Sequence, residues 1–314
     1  MPSIVQFHHN GGEHIISGGE CTIRTREDKR IIVEKGEMIW NDGAHRRKFI
    51  KNCGRYTDGN SEPQKGKIVF WGEWESISKF TVINNTNANE GDIPHYLHEI
   101  KACKLEDYIQ NPKPLDARED VQGWQNTDPY VYGDFFKYSN CQQGPRPSMK
   151  KLEPGSVIAM GSRRNHQFTI DTVFVVAEKL CTYSKNNHTE IKELLDKGVI
   201  SNTFWHTTII PLIKLYERGI IKENEEFILY KGATYEEPIN GMYSFFPCKP
   251  YDKNDLGFER MVVRNDKYIN PKLFMGIKST PANDSEANEF WEDLKNQVLD
   301  RGLYLGVWAK EPEL

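Results

Sequence analysis

Three carboxylates stand in surroundings that suit chemistry. Glu73 lies in Trp71-Gly-Glu-Trp-Glu75, where a glycine inside a strand marks a bulge that would aim it away from its neighbours and the two indoles would shelter it and raise its pKa, as a general acid or base requires. Asp128 and Asp134 lie in Asn126-Thr-Asp-Pro-Tyr-Val-Tyr-Gly-Asp134, where Asp128-Pro129 starts one turn and Gly133 permits another. Around them, Trp71, Tyr130, Tyr138, Asn140 and Gln143 suit a flat heterocycle: aromatic faces stack on it, and amides match a nucleobase edge in both donor and acceptor. Asn10 and Glu13, at the Gly11-Gly12 turn, and Asn41 are further candidates for the same pocket. The competing reading, that these aromatics fill a core and the carboxylates face solvent, stays open.

The densest basic cluster follows Asn41 and holds Arg46, Arg47, Lys48 and Lys51; a second basic pair, Arg163 and Arg164, opens a hairpin turn. Both suit phosphate contacts, and both also suit an ordinary solvated surface. A formal charge of -4 excludes a protein coated in positive potential, so any nucleic-acid contact must come from these local patches; DNA is favoured over RNA as the partner, and the choice between them stays open. Asp171 sits inside an apolar strand and needs a partner; Arg163 and Arg164 are candidates, and the sequence does not show the pairing. His8, His9, Glu13 and His14 fit neither helical nor strand spacing for zinc, and His95 with His98 is a lone pair, so no metal and no cofactor are expected.

The elements that must position these residues are mostly strands. Apolar runs at Ile4–Phe7, Cys21–Trp40, Lys67–Ile83, Ser156–Gly161 and Phe168–Val176 read as strands, the last two as an antiparallel hairpin. Helical patterns occupy Thr189–Lys197, Thr203–Arg218 with Pro211 interrupting it, and Ser285–Arg301, stopped by Gly302. Shorter strands at Phe227, Met242, Arg260 and Leu273 precede a closing strand from Leu303. The expected class is α+β: a mixed, mainly antiparallel sheet or small β-barrel flanked by helices. A β-rich base-binding region over 1–185 and an α+β region over 186–314 packed on it, or one continuous domain, fit the 314 residues. Six scattered cysteines without a Cys-x-x-Cys pair, and no apolar run near membrane length, point to reduced thiols, a cytoplasmic location and no membrane partner. The oligomeric state stays open.

No Walker, Rossmann, Gly-x-Ser-x-Gly, His-Glu-x-x-His or kinase pattern is present. Leu152-Glu-Pro-Gly-Ser-Val-Ile-Ala-Met-Gly-Ser162 and Phe168-Thr-Ile-Asp-Thr-Val-Phe-Val-Val176, with Ile68-Val-Phe-Trp-Gly-Glu-Trp-Glu75 before them, resemble the PUA-like domains, including the ASCH and EVE types, and the nucleotide-modification-associated domains of prokaryotes. That resemblance covers about half of the chain and implies a small β-barrel with helices that holds RNA or modified DNA bases. Asn126-Thr-Asp-Pro-Tyr-Val-Tyr-Gly133 is similar to the water-activating motif of uracil-DNA glycosylases, whose later His-Pro-Ser motif is missing, so only Asp128 and Tyr130 carry over. The expected function is recognition of, or action on, modified DNA bases, as a glycosylase in which Glu73, Asp128 or Asp134 assists cleavage of the N-glycosidic bond. The alternatives are a non-catalytic PUA-like reader and a metal- or small-molecule-dependent enzyme using the His8 to His14 turn.

Overall fold

The structure, a computed structural model, describes residues 1–9, 11–13, 21–24, 30–33, 38–39, 46–84, 93–102, 127–184, 186–217, 225–273 and 276–314, with side chains at 21–24, 30–33, 38–39 and 214–217 left aside. Two seven-stranded mixed sheets dominate it. The first runs β15 (Gly276–Pro281), β1 (Ser3–His8), β10 (Val157–Arg164), β11 (Gln167–Tyr183), β12 (Phe227–Gly232) and β9 (Lys137–Tyr138), with β14 (Met261–Val262) beside β11. The second runs β16 (Tyr304–Ala309), β13 (Phe246–Pro250), β6 (Gln64–Glu73), β5 (Arg47–Thr57), β8 (Tyr96–Ile100), β7 (Ser78–Val82) and β4 (Met38–Ile39). A separate hairpin joins β2 (Cys21–Arg24) to β3 (Arg30–Val33). The α+β class holds, but among the described residues no closed barrel forms. β16 does pair with both β13 and β5, which curls that end of the second sheet. Strands from beyond residue 186 enter both sheets, so the two halves of the chain share hydrogen-bonded ladders.

The expected hairpin of β10 and β11 is present, closed by Asn165 and His166 at φ 45° and 62°, the left-handed pair that a two-residue turn between twisted strands requires. Its register slips between Met160 and Gly161: Met160 faces Thr172 and Gly161 faces Ile170, so Asp171 is the extra residue of a bulge on β11. Only glycine fits at 161, because a Cβ there would collide with the Thr169 carbonyl. Gly72, by contrast, lies in an unbroken ladder, with Lys48 facing Gly72 and Arg47 facing Glu73. The expected bulge at Gly72 is therefore absent, and Glu73 is placed by regular strand alternation.

Val5, Phe7, Ile158, Met160 and Phe174 of the first sheet meet Ile50, Ile68, Phe70 and Phe246 of the second in one core. A second core lies under the helix Asp284–Leu299, which buries Ala287, Phe290, Trp291, Leu294 and Val298. Asn283 and Glu286 form its capping box, and Gly302 follows at φ 70°. The run expected over Thr203–Arg218 is helical as Asn202–Phe204, Trp205–Ile209 and Ile210–Glu217; the middle segment widens to a π-helix just before Pro211, which cannot donate to the preceding turn. Among the described residues no helix is long and apolar enough to cross a membrane. Leu294→Ala is expected to cost about 2–5 kcal/mol, read as a lower urea midpoint, because Leu294 is fully buried under this helix.

Candidate active site between the sheets

The first residue of β5, Arg47, is 2% exposed. Its Nε donates to Asp171 Oδ2 at 2.8 Å, one terminal nitrogen to Glu73 Oε2 at 2.6 Å, and the other meets His9 Nδ1 at 3.0 Å. Glu73 Oε2 also lies 3.0 Å from His9 Nδ1. Arg260 grips Asp171 from the far side, with its terminal nitrogen 2.7 and 2.6 Å from the two carboxylate oxygens, and donates to the Gly11 carbonyl at 3.0 Å. Two guanidiniums thus face two carboxylates, all of them buried. Burial pushes the Asp171 carboxyl up, but Arg260 and then Arg47 overcome it and hold the group below the usual range.

A cavity of about 10 Å³, room for about one water, lies against Glu73, Arg47 and Asp171, with Trp71, Pro129 and Met160 among its walls. A larger cleft of about 360 Å³ is lined by Asn52, Lys101, Lys310, Glu311 and neighbours and contains none of the cluster. No three His, Cys, Asp or Glu side chains among the described residues converge as a metal would need, and Cys53, Cys141, Cys181 and Cys248 are free thiols.

The structure places the expected site residues very differently from one another. Glu73 is at the cluster. Asp128 is 1% exposed, but both its oxygens are taken by backbone N–H groups, from Ser139 at 2.9 Å, Asn140 at 2.9 Å and Cys141 at 2.7 Å. Burial pushes it up to about 7 against those bonds, and its geometry is that of a clamp on the 139–141 turn. Asp134 is exposed on the turn after Gly133 and does not join Glu73. Of the expected pocket aromatics, Tyr130 bonds Glu311 at 2.7 Å and Tyr138 bonds the Cys141 carbonyl at 2.6 Å and stacks on Tyr230, which fastens both in the core, whereas Trp71 bonds the Phe258 carbonyl at 2.9 Å and lines the cavity. Gln143 spends its amide on the backbone of Ser139 and Ile228, and Asn140 bonds Ser139. Glu13 is buried against His95. Asn10 and Asn41 lie outside the described residues.

The basic patch also divides. Arg47 and Lys48 are interior, Lys48 donating to the Ser76 carbonyl at 3.0 Å, so neither presents a charge to a phosphate. Arg46 and Lys51 are half-buried, and Lys51 pairs with Glu99. Arg163 and Arg164 are half-buried beside the turn, with Arg163 2.7 Å from His166 Nδ1. Neither of them pairs with Asp171, for which they were the candidates; Arg47 and Arg260 do. Arg260 was not singled out by the sequence because it lies 89 residues from Asp171, in a segment without a motif. Lys137 also went unflagged: it is buried over the rings of Phe135 and Tyr130, and burial pulls it down to about 8.

No protein-family model, curated protein or solved structure matches this chain.

Two outcomes follow from the buried charges. Arg47→Met leaves two carboxylates without one of their cations and is expected to cost about 3–5 kcal/mol in urea unfolding. His8, buried with neither ring nitrogen bonded among the described residues, is pulled down to about 4 by burial and then by His9, Arg163, Arg260 and Arg47. The unfolded chain therefore binds a proton between about pH 6.5 and 4 that the folded chain refuses, so stability falls as pH falls through that window. His8→Gln should remove up to about 3 kcal/mol of that decline, measured as the difference between the two proteins' urea midpoints at pH 7 and pH 4.

Proposed function

We propose that the chain is a DNA-binding hydrolase that cleaves the N-glycosidic bond of a modified base, with Glu73 as its working carboxylate. The observation that carries this reading is the setting of Glu73: buried, 2.6 Å from Arg47, 3.0 Å from His9 Nδ1, and on the wall of the cavity between the sheets. Glycosidic cleavage asks for a carboxylate that stabilises an oxocarbenium-like state or activates water, held in a place from which bulk solvent is excluded. Arg46, Lys51, Arg163 and Arg164, each partly exposed, are the members of the two basic patches that reach the surface, where a DNA backbone would lie. The resemblance to base-holding PUA-like and nucleotide-modification-associated domains points to the same class of substrate.

The size of the cavity favours a second reading. About 10 Å³ admits a water and not a base, which suits a non-catalytic reader that contacts modified DNA from the surface. Both readings are separated by incubating the protein with duplexes carrying different base modifications and analysing released bases by mass spectrometry. The hydrolase releases one class of base, and Glu73→Gln lowers that rate by about 100-fold or more while the protein stays folded. A reader instead shows salt-sensitive binding and no abasic product after long incubation.

A further inference from the structure

Next to the Arg47 cluster lies a carboxylate–imidazole pair that the reaction outlined above leaves unused. Glu13 Oε1 accepts the backbone N–H of His95 at 2.6 Å and of Tyr96 at 3.2 Å, and Glu13 Oε2 lies 2.5 Å from His95 Nδ1. Three bonds to one carboxylate fix both its position and the plane of the ring. Burial pushes the Glu13 carboxyl up, and the bonds from His95 and Tyr96 work against that. With Glu13 ionised its oxygen accepts, so Nδ1 is the donor of this contact, and in the neutral ring that places the lone pair on Nε2. That Nε2 is buried and has no hydrogen-bond partner among the described residues. His95 and Glu13 are themselves 5% and 7% exposed.

The backbone sets this pair on the side of the second sheet that carries Glu73. Glu13 forms a parallel bridge with Arg47, whose N–H donates to the Gly12 carbonyl at 2.9 Å, so Glu13 and Arg47 project to one side. Leu97 pairs with Phe49 in parallel register, and both belong to the cluster formed with Trp71 on that side. His95 precedes Leu97 by two residues, Arg47 precedes Phe49 by two, and Glu73 follows Trp71 by two. Strand pairing therefore aligns Glu73, Arg47 and Glu13 across β6, β5 and the edge beyond, with His95 held on the Glu13 carboxylate. A carboxylate that orients an imidazole, with the far nitrogen left basic, is the arrangement by which proteins make a general base.

We infer that His95, held by Glu13, is the general base that activates water against the N-glycosidic bond of a modified nucleoside in DNA, with Glu73 on the sugar's developing positive charge. The inference rests on the hydrolase reading. In the step, water loses a proton to His95 Nε2 and its oxygen bonds to the anomeric carbon. The carbon–nitrogen bond to the base breaks, its electron pair leaves with the base, and the base nitrogen takes up a proton from the imidazolium or from solvent. Glu13 stabilises the imidazolium that forms between these events.

The test compares wild-type protein, His95→Gln and Glu13→Gln on the modified duplex from which wild type releases most base. The expected result is a fall in kcat of about 100-fold or more for His95→Gln, a smaller fall for Glu13→Gln, and KM within about twofold of wild type for both. A purely structural His95 would instead lose stability and raise KM with kcat retained, which overturns the inference and leaves the hydrolase reading standing. Release of no base from any duplex by wild type overturns the reading and the inference together. Nitrogen-15 spectra of the wild-type histidines keep the inference open to refutation even if both variants fail to fold: a proton on Nδ1 and a lone pair on Nε2 of His95 supports it, and a proton on Nε2 overturns it.

Discussion

The guanidinium of Arg47 reaches Asp171 on β11, Glu73 on β6 and His9 just past β1, from a backbone that is the first residue of β5. These contacts cross between the two sheets, so one side chain ties the first sheet to the second at the place where the ionisable groups gather. A planar fork with five donors can do this; a lysine ammonium, a compact point charge, cannot reach three partners in the same plane. The arrangement is also exacting. Each charge here would be costly alone in an apolar interior, so each member of the cluster offsets the cost of burying the others.

The surrounding elements can be understood as what keeps that guanidinium supplied with partners. The bulge opposite Gly161 turns Asp171 out of the regular alternation of β11 towards Arg47 and Arg260. The regular ladder of β5 and β6 sets Glu73 beside Arg47. The 127–143 segment backs the cavity with Pro129 and Val131, and it is held rigid by the Asp128 clamp, by Gln143 on the β12 backbone and by Tyr132 bonding the Glu73 carbonyl. Its aromatics pack against Trp74, Phe7 and Tyr230. The stretch with the richest polar chemistry in the sequence is therefore a buttress, and its polarity is spent on satisfying backbone groups that a loop buried this deeply would otherwise leave bare.

The sequence made the hairpin of β10 and β11, the helix Asp284–Leu299 and the closing strand legible because each is local: an apolar period, a cap or turn, and a stop lie within a few residues. The cluster was legible only in pieces. Glu73 and the cost of a buried Asp171 could be read, but which arginine answers Asp171 depends on strand order, and separations of 124 residues to Arg47 and 89 to Arg260 carry no local signal. The same limit explains the basic patch. Arg46 to Lys51 looks like one charged run, yet strand pairing on both sides of β5 buries Arg47 and Lys48 and leaves Arg46 and Lys51 partly exposed. The bulge was misplaced to Gly72 because any glycine in a strand suggests one, and only the packing against Thr169 distinguishes Gly161.

Arg47 and Asp171 act as one coupled unit across the two sheets. A double-mutant cycle of Arg47→Met and Asp171→Asn, followed by urea unfolding at neutral pH, measures that coupling directly. A coupling of about 1–3 kcal/mol is predicted, with the double variant less damaged than the sum of the singles. Single effects that add to within about 0.5 kcal/mol would contradict it and reduce the cluster to independent contacts.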